Sequence, residues 1–326
     1  MVKKMKKMLK PLYNIKKWLV IKPLYDYNCK RFVKYSSRGD SEESLIGNLT
    51  MAAHAIEKGL TMGNFRPAFG REKLLILLNG GLVYIKKYGK NNVQIQHIAK
   101  VVIDYKICHE KINYQLDGEL LEKINGFLSH FDCPSDSEIQ INYTKESFFS
   151  KRNCDFFEFS NSRHSCRDYD STPVPMETID KAVRLAQNAP SACNRQPARI
   201  YVIESKDKMK KILNLHGGNR GFGEKIDKLI MICGYIPCYH TTERDCVYTD
   251  CGIFAMNLAY ALHYYEVGAC ILNWSMTPEK DKAARNIIPV PDEEVICSLI
   301  SCGNVPKKFK VCNSGKKDLN SIIHHI

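Results

Sequence analysis

Residues 177–217, ETIDKAVRLAQNAPSACNRQPARIYVIESKDKMKKILNLHG, decide the fold class of this chain. The first part repeats its apolar residues at helical spacing, and residues 198–205 are then rich in β-branched and aromatic residues, as strands are. A second helical pattern follows at residues 206–217. The stretch therefore predicts a helix, a strand and a helix in succession.

The same alternation continues to the end of the domain that contains this stretch. It predicts three further strands and two helices, within DKLIMICGYI (227–236), DCGIFAMNLAYALHYYEVG (250–268), ACILNW (269–274), PEKDKAARNII (278–288) and EEVICSLISCG (293–303). Four strands with helices between them indicate a sheet covered by helices, in an α/β or α+β arrangement.

The residues before this domain have only helical patterns. Asp40 is the expected N-cap of the first helix, with Glu43 completing a capping box, and the helical patterns extend to about Phe131. The polar stretch DCPSDSEIQINYTKESFFSKRN (132–153) is interpreted as a linker. We therefore expect a basic arm over residues 1–39, a helical domain over 40–135 and an α+β domain over 150–326.

The net charge of +13 is concentrated in the arm. Residues 1–34 contain eleven Lys or Arg and one acid, Asp26, so they carry +10 of this charge. Apolar residues between the lysines predict an amphipathic helix, broken at Pro11, which either lies on an anionic membrane surface or stays a solvated arm. Because the rest of the chain is nearly neutral, nucleic acid is not an expected partner.

The cysteines and the hydropathy pattern bear on compartment. Fourteen Cys occur without a CxxC pair, which favours reduced thiols over a zinc site, an iron–sulfur site or a disulfide framework. We expect no metal. No apolar run is long enough to cross a bilayer or to form a signal peptide. The expectation is a cytoplasmic protein, with the arm at the inner membrane face as an option.

Two motifs carry the candidate chemistry. Arg163-x-Ser165-x-Arg167 places two guanidiniums and a hydroxyl in a short segment, which suits an anion, although it also suits ordinary salt bridges. The second motif, Ala189-Pro-Ser-Ala-Cys-Asn-Arg-Gln-Pro197, holds polar side chains between two prolines. It suits recognition of a heterocycle, although it also suits a rigid connector.

Together these motifs resemble those of the nitroreductase family of flavin mononucleotide (FMN) enzymes. The resemblance covers residues 160–326 and implies an α+β nitroreductase-like fold, a mainly antiparallel sheet flanked by helices. It also implies a homodimer with FMN at the interface. By resemblance, one subunit contacts the flavin through the first motif and the other subunit through the second. The implied residues are Arg163, His164, Ser165, Arg167, Pro190, Ser191, Asn194 and Gln196.

Two later positions extend the resemblance. Lys316 and Lys317 stand where the family has basic residues for the phosphate, and Trp274 and Ser275 match a flavin-contacting position by place rather than by identity. The family's chemistry implies that NAD(P)H passes a hydride to flavin N5, which then reduces an acceptor in turn. No side chain is required as an acid or a nucleophile, so no catalytic residue is predicted.

The helical domain contains one further motif. His54 and Glu57 share a helix face, and Arg66 lies beside Pro67 in the following turn. This pattern indicates either a lid over the acceptor pocket or a salt-bridged helix end. The segment resembles an extension of nitroreductase-like proteins from bacterial polysaccharide loci.

The resulting functional expectation is an oxidoreductase. Its acceptor is a nitroaromatic, a quinone, an enone or an intermediate of polysaccharide biosynthesis. The alternative is a flavin- or nucleotide-binding module without turnover, in a membrane-proximal glycan-assembly complex. NAD(P)H oxidation with any acceptor would discriminate between them.

Overall fold

The computed structural model describes residues 2–35, 41–63, 65–132, 139–243 and 245–326, with the side chains of 14–33 in the first range. The helices are α1 (Val2–Tyr35), α2 (Glu42–Leu60), α3 (Arg71–Tyr88), α4 (Val93–Lys111), α5 (Gly118–Leu128), α6 (Lys145–Phe149), α7 (Phe156–Ser162), α8 (Met176–Ala186), α9 (Lys206–His216), α10 (Cys246–Tyr264) and α11 (Pro278–Ile287). The strands are β1 (Gln140–Thr144), β2 (Ala198–Ile203), β3 (Lys228–Tyr235), β4 (Gly268–Asn273), β5 (Glu294–Gly303) and β6 (Lys308–Cys312).

The four strands predicted from the sequence form one sheet in the order β2-β3-β5-β4, and every neighbouring pair is antiparallel. Side chains alternate across the sheet. Along β3, Leu229 and Met231 enter the core under α9 and α11, whereas Ile230 and Ile232 enter the core under α8 and α10. The α+β class, with an antiparallel sheet between helices and a helical N-terminal region, is confirmed.

The stretch interpreted as a linker contains structure that the sequence analysis missed. Residues 140–144 form β1, which pairs antiparallel with β6, and α6 follows directly. The ladder joins residues such as Ile141 and Val311, which are far apart in the chain. A strand this short has a weak local pattern, so its partner decides its conformation. The interpretation of the whole stretch as a linker is wrong for residues 140–149.

Helices α2 to α5 surround a separate apolar core, to which Leu49, Ile56, Leu77 and Phe127 contribute. The expected N-cap, Asp40, lies outside the described residues. Instead Ser41 caps α2, with its Oγ accepting a hydrogen bond from the Ser44 amide at 3.2 Å. Beyond this core α2 contacts β6, which brings the helical region against the α+β region.

Two helices differ from their expected bounds. The backbone of α1 continues through Pro11, so the expected break there is wrong. Helix α10 begins at Cys246, before the expected Asp250, and ends at Tyr264, so that Gly268 begins β4 instead of ending the helix. No described helix has both the length and the apolar character needed to cross a membrane.

Candidate active site

The first motif lies in the segment that connects α7 to α8. Arg163 ends α7 with extended backbone angles, and the Cys166 amide then donates to the Ala269 carbonyl of β4 at 2.9 Å. Cys166 is buried, and its sulfur fills the space beside Gly268, where a Cβ atom would lie 3.2 Å from that sulfur. The hydrogen bond and the packing of Cys166 hold the neighbouring side chains of the motif half-buried beside β4, an edge strand of the sheet.

Arg163 has the least satisfied side chain of the motif. Its Nε atom is buried and has no hydrogen-bond partner among the described residues. Burial lowers the pKa of this guanidinium, and the phenol of Tyr260 and the thiol of Cys270 offset only part of that effect. A buried N–H group without a partner is costly, so the geometry suits an additional acceptor at this point.

Arg167 faces the helical region. Its Nη2 lies 3.4 Å from His54 Nε2, and its Nη1 lies 3.9 Å from the sulfur of Cys312 in β6. Lys58 is half-buried one helical turn after His54 on α2, and its pKa is lowered by burial first and by the positive charge of Arg167 second. Two cations therefore share one half-buried place, where α2 meets β6.

His164 and Lys316 extend this positive region. The pKa of His164 is lowered by burial and then by the charges of Arg163 and Lys316. We call Lys58, Arg163, Arg167 and Lys316 the cationic cluster. Within the described ranges no carboxylate forms an ion pair with any of these four residues.

The nearby carboxylate of Glu57 is occupied by histidines. It lies 3.1 Å from His54 Nδ1 and 2.6 Å from His97 Nε2, and Ser314 Oγ donates to it at 3.3 Å. Burial raises the pKa of Glu57, but the hydrogen bonds from the two histidines more than offset burial, and the pKa falls to about 2. Glu57 is therefore ionised, and it orients His54 toward Arg167.

Helix α4 also holds the chain next to Lys316. The Gly315 amide nitrogen lies 3.5 Å from His97 Nε2, and a Cβ atom on Gly315 would lie 2.8 Å from the His97 ring. Lys317 lies elsewhere: it lines a cavity together with Glu42 and Glu43. Of the two lysines that we predicted, only Lys316 joins the cationic cluster.

The second motif forms a loop with unusual backbone geometry. Cys193, Asn194 and Gln196 all have positive φ, at 51°, 55° and 50°, which is strained for residues other than glycine. The Gln196 amide donates to Ser191 Oγ at 2.9 Å, and Gln196 Nε2 donates to Asn194 Oδ1 at 3.2 Å. Pro190 lines a cavity of about 230 Å³ beside this loop.

Two acidic residues fix the loop from outside. Asp250 accepts from the Ala192 amide at 3.0 Å and from the Tyr239 hydroxyl at 2.5 Å. Arg195 forms a two-pronged ion pair with Glu243, with both N···O distances at 2.7 Å. Buried or paired side chains therefore hold the strained backbone of this loop in place, as in preorganised binding loops.

The two motifs do not meet within one chain. No hydrogen bond, ion pair or ring contact joins the loop at residues 189–197 to the cationic cluster in the described part of the molecule. Trp274 is also apart from both: its Nε1 donates to Asp281 at 2.9 Å and its ring stacks on His216. Ser275, next to it, is exposed.

The sequence analysis missed Lys58 and His97. It singled out His54 and Glu57 on one face of α2, and the structure places both at the site. Arg66, by contrast, lies in an exposed turn, and Asn64 of the same turn is outside the described residues. No local pattern distinguishes Lys58 from the other lysines, because its position depends on how α2 packs on β6.

Comparison with known proteins shows what the segment that carries both motifs is similar to. Residues 161–219, which contain both motifs, match the model of the nitroreductase family. A protein of Archaeoglobus fulgidus named "Putative NADH dehydrogenase/NAD(P)H nitroreductase" is 28% identical over 152 residues, which are 46% of this chain and 84% of that protein. A protein of the same name from Methanothermobacter thermautotrophicus is 25% identical over 170 residues, 51% of this chain and 82% of that protein.

A shorter match involves a flavin enzyme by name. The FMN reductase (NAD(P)H) of Bacillus subtilis is 37% identical over 54 residues, which are 17% of this chain and 22% of that protein.

Proposed function

We propose that this chain, a nitroreductase-like flavin oxidoreductase, binds FMN and uses NAD(P)H to reduce a small organic acceptor. The observation that carries this proposal is the cationic cluster, which forms no ion pair with a carboxylate among the described residues and contains the buried, unpartnered Nε of Arg163. Two of its four residues, Arg163 and Arg167, lie on the segment 161–219 that matches the family model.

The residues fit the phosphate of FMN. A phosphate monoester carries up to two negative charges and several strong acceptor oxygens, which arginine binds in a planar, two-pronged manner. Arg163 and Lys316 would hold this phosphate, and His164 and Ser165 would contact the adjoining chain of the cofactor. Arg167, oriented by His54, would hold its ring system. When bound, FMN supplies the hydride transfer.

The loop at Pro190, Ser191, Asn194 and Gln196 would reach the same cofactor from a second copy of the chain. Its separation from the cationic cluster within one chain supports this arrangement. Exposed apolar side chains are available for such an interface, among them Phe156 and Phe157 of α7 and Tyr248 and Ile253 of α10. The proposed assembly is a homodimer in which each cofactor contacts both copies.

The proposed acceptor is a nitroaromatic, a quinone, an enone or a sugar-linked intermediate of polysaccharide biosynthesis. The first three of these classes offer a flat, electron-poor group that can accept a hydride. Lys317, Trp274 and Ser275 remain proposed contacts, of the phosphate for Lys317 and of the flavin for the other two.

Peripheral membrane contact through residues 1–34 is a separate part of the proposal. The eleven basic residues of this segment support it, as do the exposed side chains of Trp18 and Leu19 on α1. Co-sedimentation with anionic vesicles but not with neutral ones is the expected result, and equal behaviour with both would exclude this contact.

An absorption spectrum tests the main proposal. The purified protein, supplied with FMN and desalted, is expected to retain oxidised-flavin bands, and anaerobic NADH or NADPH is expected to bleach them. Retained bands that neither nucleotide bleaches would favour a binding module without turnover. A protein that retains no FMN would contradict the proposed function.

A further inference from the structure

Lys58 is the one cation of the cluster that comes from α2. The residues on either side of it along the helix face inward: Glu57 is buried against His97, and Ile56 and Leu60 lie in the core of the helical region. Lys58 is half-buried and lies one helical turn after His54, whose Nε2 is 3.4 Å from Arg167 Nη2, and α2 contacts β6. The pKa of Lys58 is lowered by burial first and then by the positive charge of Arg167.

Among the described residues, no carboxylate forms an ion pair with Lys58. Glu57 is bound to two histidines, and burial raises the pKa of the Cys312 thiol to about 11, which keeps that thiol uncharged at neutral pH. Arg167 adds a second positive charge at the same place, and Arg163 shares the neighbourhood of Cys270. Half-buried cations that repel one another are costly to hold together, and an anion that binds between them offsets this cost.

We propose that Lys58 binds the same anionic ligand as Arg163 and Arg167, so that the helical region contributes a ligand-binding residue to the site. The identity of this ligand as FMN rests on the proposed function. The chemistry of the contact is an ammonium group donating to an oxygen of the cofactor, which is either an anionic phosphate oxygen or a carbonyl oxygen of the ring system. The helical region is then a part of the binding site and not an accessory to it.

A set of full-length variants tests the proposal through binding, without turnover. Lys58→Met removes the charge and keeps most of the side-chain volume, Lys58→Arg keeps the charge, and Lys73→Met removes a charge from an exposed position on α3. Dissociation constants for oxidised FMN are measured by flavin fluorescence. A charge-assisted contact predicts about a tenfold or greater loss of affinity for Lys58→Met.

Two control variants and a second ligand have distinct expected results. Lys73→Met is expected to bind FMN as the unaltered protein does, and Lys58→Arg is expected to recover most of the affinity. The same titrations with riboflavin, which lacks the phosphate, identify the contact. If Lys58 contacts the phosphate, Lys58→Met is expected to leave riboflavin affinity unchanged. If Lys58 contacts the ring system, Lys58→Met is expected to lower the affinities for riboflavin and FMN by the same factor. Unaltered FMN affinity in a folded Lys58→Met variant would overturn the proposal.

A second measurement separates this proposal from the proposed function. Lysine acetylation of the unaltered protein is followed by mass spectrometry, with FMN and, separately, with inorganic phosphate. Protection of Lys58 by FMN supports both proposals. If FMN fails to bind but inorganic phosphate protects Lys58, the anion site stands and the proposed function falls. If neither protects Lys58, the inference about Lys58 is wrong.

Discussion

Glu57 shows how one residue links two parts of the molecule. Its carboxylate is almost fully buried, yet it is ionised because two histidines and a serine surround it. His54 and His97 come from different helices, and Ser314 comes from the segment after β6. Replacing this carboxylate disturbs the orientation of Arg167 and the path of the chain toward Lys316 together.

Glu57→Gln is expected to lower the free energy of unfolding by about 2 kcal/mol at pH 7, because it leaves buried hydrogen-bonding groups poorly matched. The pKa of Glu57 is about 2 in the folded protein and 4.5 ordinarily. The unfolded chain therefore takes up this proton first as pH falls. The stability that Glu57 provides is complete above pH 4.5 and is lost as pH falls toward about 2.

Urea unfolding of both proteins between pH 7 and pH 3 checks this prediction. The difference in free energy of unfolding between the unaltered protein and Glu57→Gln is expected to become smaller below pH 4.5. Glu110→Gln, at an exposed position of α4, is the control and is expected to unfold as the unaltered protein does at each pH. A difference that stays constant down to pH 3 would show that the ionisation of Glu57 does not contribute.

At the scale of elements, α2 has two roles on two faces. One face carries Leu49 and Ile56 into the core of the helical region, and another carries His54 and Lys58 to the cationic cluster. The end of the helix is held close to the turn that follows: a Cβ atom at Gly59 would lie 1.9 Å from the ring of Phe69. A side chain at this position cannot be accommodated without moving that ring.

Gly59→Ala is therefore expected to destabilise the protein by about 2 kcal/mol, despite the higher helix propensity of alanine. Gly47 lies on the same helix, and nothing lies within 4 Å of its Cβ position. Gly47→Ala is the matched control and is expected to stabilise the protein by up to about 1 kcal/mol. Thermal unfolding measures both, and stabilisation by both substitutions would contradict the packing described here.

At the scale of the whole molecule, the two motifs are complementary but separated. The cationic cluster can hold an anion, and the strained loop at 190–196 offers polar groups without reaching it. The proposed homodimer would resolve this separation, because the loop of one copy would complete the site of the other. Helix α10 contributes exposed apolar side chains beside the loop's anchor, Asp250.

Ile253→Arg tests this arrangement. Ile253 is 40% exposed in the single chain, so the substitution is expected to leave the fold intact. Sedimentation is expected to show a dimer for the unaltered protein and a monomer for the variant, with weaker FMN binding by the monomer. Ile76→Arg, at a 48% exposed position of α3, is the control and should remain a dimer. If the Ile253→Arg variant remains a dimer, α10 does not lie in the interface.

The sequence by itself predicted the four strands of the main sheet and the helices between them, and it located the two candidate motifs along the chain. The continuous apolar run of β3 and the helical spacing of apolar residues in α8 and α9 are local signals, so they can be read without knowing the fold. Both motifs were also visible, because their residue types are unusual at such short spacing. Even the shared face of His54 and Glu57 followed from helical geometry alone.

Only the tertiary structure decided which distant elements meet. The pairing of β1 with β6, the contact of His97 with Glu57 and the approach of Lys58 to Arg167 all join residues that are far apart in the chain. Periodicity tells which face of an element is apolar, but it does not tell which partner covers that face. The charge of Lys58 became informative only once packing had placed its helix face near Arg167, where it forms no ion pair with a carboxylate of the described residues.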